Sequence, residues 1–150
     1  MLMDSTIIVA AISVIGSFTL VYLNSVKETS NKKYEIRREQ LSKFYMPFYQ
    51  KYCAGLFPQN RLSAMSFEAR SIFFDLMTQN IYLMEPLSQA MYSDFYSAYL
   101  DLLEAENNNP EYLLEESSQK LDNIFSKLSR QILIEYKGIL KKCHLPVPLI

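Results

Sequence analysis

Residues 5–26 read STIIVAAISVIGSFTLVYLNSV, a run of 22 positions without a charged side chain. As an α-helix rising about 1.5 Å per residue, the run is about 33 Å long, close to the thickness of the hydrocarbon core of a bilayer. A helix also satisfies its own backbone hydrogen bonds, as lipid requires. Residues 1–26 are therefore predicted to form a transmembrane anchor.

A cleaved signal peptide is the alternative interpretation of this segment. Signal peptides carry a basic stretch ahead of the apolar one and a small-residue cleavage site after it. Here the leading residues contain Asp4 and no Lys or Arg, and no convincing cleavage site follows Leu23. These features favour a retained anchor.

Basic residues flank the run on its carboxy-terminal side only. By the positive-inside rule, they predict a single-pass protein of the inner or plasma membrane with residues 27–150 in the cytoplasm. Three lysines near the end of the chain would join them at anionic headgroups where the last helix returns towards the bilayer. The predicted lipid-contacting residues are Lys27, Lys32, Lys33, Arg37, Arg38, Lys137, Lys141 and Lys142.

The apolar run carries a second pattern, because steps of three and four place small or polar side chains along one line of the helix. Ile8, Ile15, Tyr22 and Val26 fall on the opposite side. Such a stripe is typical of helix–helix contacts in membranes or of a pore lining, and the alternative is a monomeric span whose hydroxyls bond their own backbone. The residues predicted for helix association or pore lining are Thr6, Ala10, Ser13, Ser17, Leu20 and Asn24, with Gly16 lying off the line.

Residues 27–144 predict an antiparallel cytoplasmic bundle of about four helices, so the expected fold class is all-α. The first helix continues from the anchor to about Tyr52, and Pro47 inside it predicts a kink near Phe44. The second begins at the N-cap Ser66 and runs through Met84. A third helix follows and ends at about Glu106.

The fourth helix is predicted from Asn109, as its cap, and Pro110, in its first helical position. It extends towards His144, and four side chains at helical spacing form its apolar line: Leu121, Phe125, Leu128 and Ile132. Residues 145–150 read LPVPLI and predict an apolar, proline-rich tail that cannot continue the helix.

The chain of 150 residues has a net charge of −1, which excludes a uniformly basic nucleic-acid-binding protein. The charge is uneven: residues 27–51 carry +4, residues 52–126 carry −8 and residues 127–150 carry +4. The acidic part predicts a distal tip that could dock a basic protein partner, and the alternative is an ordinary solvated surface. The residues of this acidic tip are Asp101, Glu104, Glu106, Glu111, Glu115 and Glu116.

Residues that carry catalytic or metal chemistry are few. His144 is the one histidine, the two cysteines Cys53 and Cys143 are far apart, and three isolated glycines cannot form a phosphate-binding loop. The aromatic run FYMPFYQKY at residues 44–52 suggests base stacking, but its helical spacing favours a place in the core. We therefore expect no catalytic residue, cofactor, metal or nucleic-acid partner.

The order of anchor, basic helix, LSKFYMPFY at residues 41–49 and YKGILKKCHLP at residues 136–146 resembles small single-pass helical proteins of bacteria and phages. It is also distantly similar in layout to the HEPN-derived membrane-pore accessory protein of RNA-targeting CRISPR systems. That resemblance implies permeabilisation of a membrane during antiviral defence. HEPN ribonucleases pair an Arg with a nearby His; here Lys137 and His144 stand in that order, and Lys lacks the planar fork of Arg.

Three functional hypotheses follow from these patterns. The first is a non-enzymatic, membrane-anchored helical protein that forms homo-oligomers and permeabilises or otherwise acts at the membrane. The second is a membrane-tethered docking module that binds a basic cytoplasmic partner through the acidic tip. The third is a degenerate HEPN-type ribonuclease that uses Lys137 and His144.

Overall fold

The computed structural model describes residues 2–55 and 61–149, and the side chains of residues 2–17 lie outside the described part. Every regular element in the described residues is helical, and none of them is a strand. The chain divides into two compact units, Met1–Ile36 and Arg37–Ile150. The all-α class and the helical bundle predicted from the sequence are confirmed.

Five α-helices and two short irregular turns make up the described chain. A π-helical turn, Leu41–Tyr45, connects α1 to α2, and a 3₁₀ turn, Ile81–Leu83, separates α3 from α4. The helices are α1 (Leu2–Gln40), α2 (Met46–Gly55), α3 (Phe67–Gln79), α4 (Pro86–Glu106) and α5 (Leu114–Lys142).

Within the second unit, α2 to α5 run alternately up and down. Side-chain contacts between neighbouring helices join an early residue of one helix to a late residue of the next, as an antiparallel arrangement requires. Contacts that set the register are Arg70 with Glu106 and Thr78 with Tyr92 between α3 and α4, Ser88 with Glu135 and Asp101 with Lys120 between α4 and α5, and Tyr49 with Tyr136 between α2 and α5.

The core of this unit forms along the apolar line of α5. Leu121, Phe125, Leu128 and Ile132 have no exposed surface, as their spacing predicts. Phe125 packs edge-on against Phe73 of α3, with 5.8 Å between the ring centres. It also contacts Phe95 of α4 at 5.9 Å, and Phe48 of α2 packs against Phe73. Burial of one such side chain contributes about 1.5–3 kcal/mol.

Near Phe44, where the sequence predicts a kink, the helix is interrupted by the π-helical turn. In this turn the backbone N–H of Met46 donates to the carbonyl oxygen of Leu41, five residues back. Pro47 follows immediately and has no backbone N–H, so regular helical bonding cannot continue through this position. The predicted single helix up to Tyr52 is therefore divided into α1 and α2.

Two of the predicted helix limits are wrong. The N-cap Ser66 is correct, since its hydroxyl accepts from the backbone N–H of Ala69, but α3 ends at Gln79 instead of Met84. Asn80 ends the helix, because its side-chain amide donates to the carbonyl oxygen of Leu76 at 2.9 Å. The Nδ2 of Asn80 thereby satisfies the carbonyl oxygen of Leu76, which a continuing helix would satisfy with a backbone N–H group.

The predicted start of the last helix at Asn109–Pro110 is also wrong, because α5 begins at Leu114. Asn108 adopts the left-handed conformation, with φ of 61°. The N–H groups of Asn108 and Asn109 then donate back to the carbonyl oxygens of Ala105 and Glu104, which is a Schellman motif. Asn109 therefore closes the Schellman motif of α4, and the N–H groups of Glu111 and Tyr112 donate to its side-chain and backbone oxygens in a separate turn before α5.

Among the described residues, no helix contains an apolar stretch long enough to cross a bilayer.

Most of the anchor predicted for residues 1–26 falls on residues 1–17, whose side chains lie outside the described residues.

Removal of the central ring of the core should strongly destabilise the bundle. We expect Phe125→Ala to lower the free energy of unfolding by about 3–5 kcal/mol, since Phe125 is fully buried and leaves a cavity. Phe67→Ala is the matched control at an exposed Phe and should change stability by less than about 1 kcal/mol. Urea denaturation followed by circular dichroism measures both, and equal losses would contradict the proposed core.

Candidate functional site

The described end of the apolar run is exposed. Six large apolar side chains between residues 18 and 26 keep between 49% and 73% of their surface accessible. An apolar surface of this kind is stabilised by lipid or by another protein surface. These residues are Phe18, Leu20, Val21, Tyr22, Leu23 and Val26, and we call them the exposed apolar segment.

Only two members of the predicted small and polar stripe fall within this described segment. Leu20 and Asn24 are exposed, and so are Tyr22 and Val26 on the opposite side of the helix. Burial therefore does not distinguish the two sides of α1. The remaining stripe residues, Thr6, Ala10, Ser13 and Ser17, and the off-line Gly16 lie outside the residues whose side chains are described.

The predicted lipid-contacting residues are distributed over both units. Lys27, Lys32 and Lys33 are exposed on the first unit, where Lys32 pairs with Glu28 at 2.8 Å. Arg37 and Arg38 belong to the second unit.

The carboxy-terminal end of α5 carries the other predicted lipid-contacting residues. Lys141 and Lys142 are exposed, and Lys137 is half-buried one turn earlier. Because the π-helical turn that follows Gln40 packs against α5, with Tyr45 bonded to Glu135, the antiparallel register places this end of α5 at the same end of the bundle as Arg37 and Arg38.

A buried carboxylate is the most constrained polar group of the bundle. Glu135 of α5 accepts from the Tyr45 hydroxyl at 2.9 Å and from the Ser88 hydroxyl at 2.6 Å through Oε2. Its Oε1 accepts from the Gln131 amide at 2.9 Å and from the backbone N–H of Ser88 at 3.3 Å. The Tyr45 hydroxyl in turn accepts from the backbone N–H of Glu85.

This network is explained by the start of α4. The helix has Glu85 at its N-cap and Pro86 next, and the Glu85 side chain makes no capping hydrogen bond. The Glu135 carboxylate therefore caps α4 from α5 by accepting the N–H of Ser88, and the positive end of the helix dipole favours the negative charge. The two carboxylate oxygens of Glu135 accept from four donors, so their hydrogen-bonding capacity is used within the bundle. The role of Glu135 is therefore structural.

Sequence reasoning did not identify Glu135. The signals were an acid inside the apolar stretch ILIEY, at residues 132–136, and a helix start at Glu85–Pro86 without Ser, Thr, Asp or Asn. Sequence reasoning also missed the pair of Arg70 and Glu106. Arg70 is buried on α3, and its Nη2 donates to both carboxylate oxygens of Glu106 at 2.7 Å.

Burial raises the pKa of Tyr45 far above the ordinary range of tyrosine, and the negative charge of Glu135 adds to the effect. Both causes favour the protonated phenol, which is the form that donates to Glu135. Burial also raises the pKa of Tyr52, Tyr92, Tyr99 and Tyr136.

His144 has a structural explanation. It lies just beyond α5 with φ of 56°, while the N–H groups of His144 and Leu145 donate to the carbonyl oxygens of Lys141 and Leu140. This is a second Schellman motif, in which His144 takes the left-handed position that glycine usually occupies. Lys137 lies within α5, so the two residues of the predicted HEPN-like pair belong to different backbone environments.

The acidic tip is partly neutralised within the chain. Glu106 pairs with Arg70, and Asp101 pairs with Lys120 at 2.6 Å. Glu104 accepts from the Asn109 side chain, and Glu115 accepts from Gln119. Two of the six predicted carboxylates, Glu111 and Glu116, have no such side-chain partner among the described residues.

The remaining candidates for chemistry lie apart. Cys53 is an exposed free thiol and Cys143 a buried one. Within the described residues, no three His, Cys, Asp or Glu side chains form a group that could hold a metal ion. The aromatic run has Phe44, Tyr45 and Phe48 fully buried, so the prediction that it belongs to the core is confirmed.

No known protein family, no curated protein and no solved structure matches this chain.

Replacement of Tyr45 by Phe tests the buried network. The variant removes a donor to Glu135 and an acceptor for the N–H of Glu85, so we expect a loss of about 1–3 kcal/mol in unfolding free energy at pH 8. Tyr82→Phe is the exposed control and should have little effect.

The same pair of proteins gives a pH signature. Since the pKa of Tyr45 is raised in the folded state, its contribution is complete below the unfolded value of about 10 and is lost as the pH rises above it. The stability difference between wild type and Tyr45→Phe should therefore shrink above pH 10, by up to about 1.4 kcal/mol per pH unit. Urea unfolding at several pH values measures this difference, and a constant difference would contradict the assignment.

Proposed function

We propose that this chain is a membrane-anchored helical protein that self-associates through its amino-terminal helix and acts at the membrane. The observation that carries the proposal is the exposed apolar segment at residues 18–26, which continues the uncharged run of residues 5–17. Exposed side chains of this size are stable in contact with lipid or with other helices. In this proposal residues 1–26 are the anchor and the bundle lies on the cytoplasmic side of an inner or plasma membrane.

The basic residues that follow the segment support this orientation. Lys27, Lys32 and Lys33 come directly after it and are exposed, which suits contact with anionic headgroups. Lys141 and Lys142 are exposed at the end of the bundle that carries Arg37 and Arg38. Headgroup contact by all of these side chains is part of the proposal.

Permeabilisation is the action that we propose for the assembled anchors. The small and polar stripe of α1 would face the neighbouring helices or a central pore, with Ser13, Ser17 and Asn24 as its polar members. On the basis of the layout similarity to the CRISPR-associated pore protein, we propose antiviral defence as the setting of this action.

Larger side chains on the stripe should weaken the assembly. We expect Ser13→Leu combined with Ser17→Leu to raise the dissociation constant of detergent-solubilised oligomers by about tenfold or more, because close helix contact is lost. Thr19→Leu, on the opposite side of the helix, is the matched control and should leave the oligomer unchanged. Sedimentation equilibrium in detergent measures the mass; an unchanged mass in the double variant would reject the packing role.

A docking module is the second candidate, and Glu111 and Glu116 are the observation in its favour, since neither has a side-chain partner among the residues that the structure describes. It predicts binding of a basic partner without any effect on membrane integrity. Glu106 and Asp101 form ion pairs within the chain, so the acidic tip has fewer unpaired carboxylates than the sequence suggests. The permeabilisation proposal therefore comes first.

Dye release from liposomes separates the two candidates. The full-length chain, reconstituted into vesicles with anionic lipid, should release an entrapped dye if assembled anchors permeabilise the bilayer. The Ser13→Leu and Ser17→Leu double variant should release it more slowly, and Thr19→Leu should match wild type. Absence of release by an inserted wild-type protein would favour the docking module.

A further inference from the structure

A groove of about 330 Å³ lies between the carboxy-terminal half of α5 and the start of α4. From α5 it is lined by Gln131, Gly138 and Lys142, which recur at helical spacing along one face, and from α4 by Glu85 and Leu87. We call it the Gly138 groove. It is part of the second unit, on the outside of the helix that carries the core.

The glycine at the floor of this groove has no explanation within the chain. Gly138 lies inside α5, where glycine destabilises a helix by about 1 kcal/mol relative to alanine. Its backbone has an ordinary negative φ, and a Cβ atom built on it would meet nothing within 4 Å. Neither backbone conformation nor packing within the described chain therefore requires glycine here, whereas the close approach of another backbone would.

One apolar side chain of the groove lining, and another beside Gly138 on α5 but outside the lining, are open to solvent. Leu87 is 57% exposed on its α4 wall. Ile134, one helical turn before Gly138, is 58% exposed. An exposed pair of this size beside a bare stretch of helix backbone is typical of a contact surface.

The charges that line the groove are complementary to those of the same groove on a second copy. Glu85 belongs to the α4 wall, and Lys142 lies one helical turn beyond Gly138 on α5. Among the described residues, neither side chain takes part in an ion pair. Glu135 is a second acid of the lining, and both of its oxygens accept hydrogen bonds from donors within the chain. In a two-fold contact each surface meets itself, so a surface with one unpaired acid and one unpaired base displaced from the axis can form the same ion pair twice.

We propose that the Gly138 groove is a self-association surface of the bundle. Two copies of α5 cross at Gly138 about a two-fold axis, and Glu85 of each copy pairs with Lys142 of the other. Ile134 and Leu87 of the two copies surround the crossing point. The inference goes beyond the proposed function, because it concerns the bundle and holds whether or not residues 5–26 enter lipid.

Charge exchange followed by zero-length cross-linking tests this contact in the full-length chain in detergent. Glu85→Lys and Lys142→Glu are prepared as two separate proteins, mixed and treated with a carbodiimide, which joins a carboxylate to an amine in direct contact. Neither variant holds both charges of the exchanged pair, so any cross-link between Lys at position 85 and Glu at position 142 joins two copies. We expect this cross-linked peptide in the digest of the mixture.

Gly138→Leu added to both proteins should lower the yield of this cross-link by about tenfold or more, because the added side chain holds the two helices apart. A Cβ atom at position 138 meets nothing within 4 Å, and the leucine side chain would extend into the open groove, so we expect circular dichroism to show an unchanged fold. Ser97→Leu adds the same side chain at an exposed position of α4 and should preserve the yield. Ile134→Glu is a second variant that should lower it.

Absence of the cross-link from the mixture would overturn the proposal, and so would a yield that Gly138→Leu and Ile134→Glu leave unchanged. Gly138→Leu and Ile134→Glu leave the anchor unchanged, so a fall in cross-link yield reports on the bundle contact, whereas Ser13→Leu and Ser17→Leu test the anchor through the mass of the oligomer. A cross-link that forms while leakage is absent would support the bundle contact and reject permeabilisation. A partner other than a second copy would yield no 85–142 cross-link.

Discussion

Burial of the Glu135 carboxylate is the interaction on which the arrangement of the bundle depends. A buried carboxylate without donors is strongly destabilising, so donors from several elements must meet it. The donors come from the π-helical turn, from the start of α4 and from α5 itself, through Tyr45, Ser88 and Gln131. The three elements are thereby held in one register. The irregular turn before Pro47 presents the Tyr45 hydroxyl to this carboxylate, so the backbone interruption and the buried network belong together.

Left-handed residues define the ends of the two long helices of the bundle. Asn108 ends α4 and His144 ends α5, each in a Schellman motif. Both are among the non-glycine residues that adopt this conformation more readily than most. The one histidine of the chain thus has a conformational role that is sufficient to account for its position. Spacing to Lys137 alone does not indicate catalytic chemistry.

Two surfaces are open to solvent in the described part of the chain and carry the functional proposals. The exposed apolar segment at residues 18–26 belongs to the first unit, and the Gly138 groove belongs to the second. The apolar segment suits lipid or neighbouring anchors, because it is a continuation of an uncharged run. The groove suits a second copy, because its charges are self-complementary across a two-fold axis. A chain that associates through both would form larger assemblies than either contact alone allows.

The all-α class, the bundle and its core could be predicted from the sequence, because helical spacing of apolar side chains is a local property. Leu121, Phe125, Leu128 and Ile132 are buried as their spacing indicates, and Ser66 caps α3. The start of α5 could not be predicted, since Asn109–Pro110 suits a helix start and also the end of a Schellman motif, and only the backbone of Asn108 distinguishes them. Glu135 and Arg70 were equally beyond reach, because an acid or a base in a helix is buried only where distant residues supply its partners. Local patterning determined which segments are helices and which faces they bury; the tertiary structure decided which polar groups meet inside, because hydrogen bonds between residues 40 to 90 positions apart depend on packing that no short stretch of sequence contains.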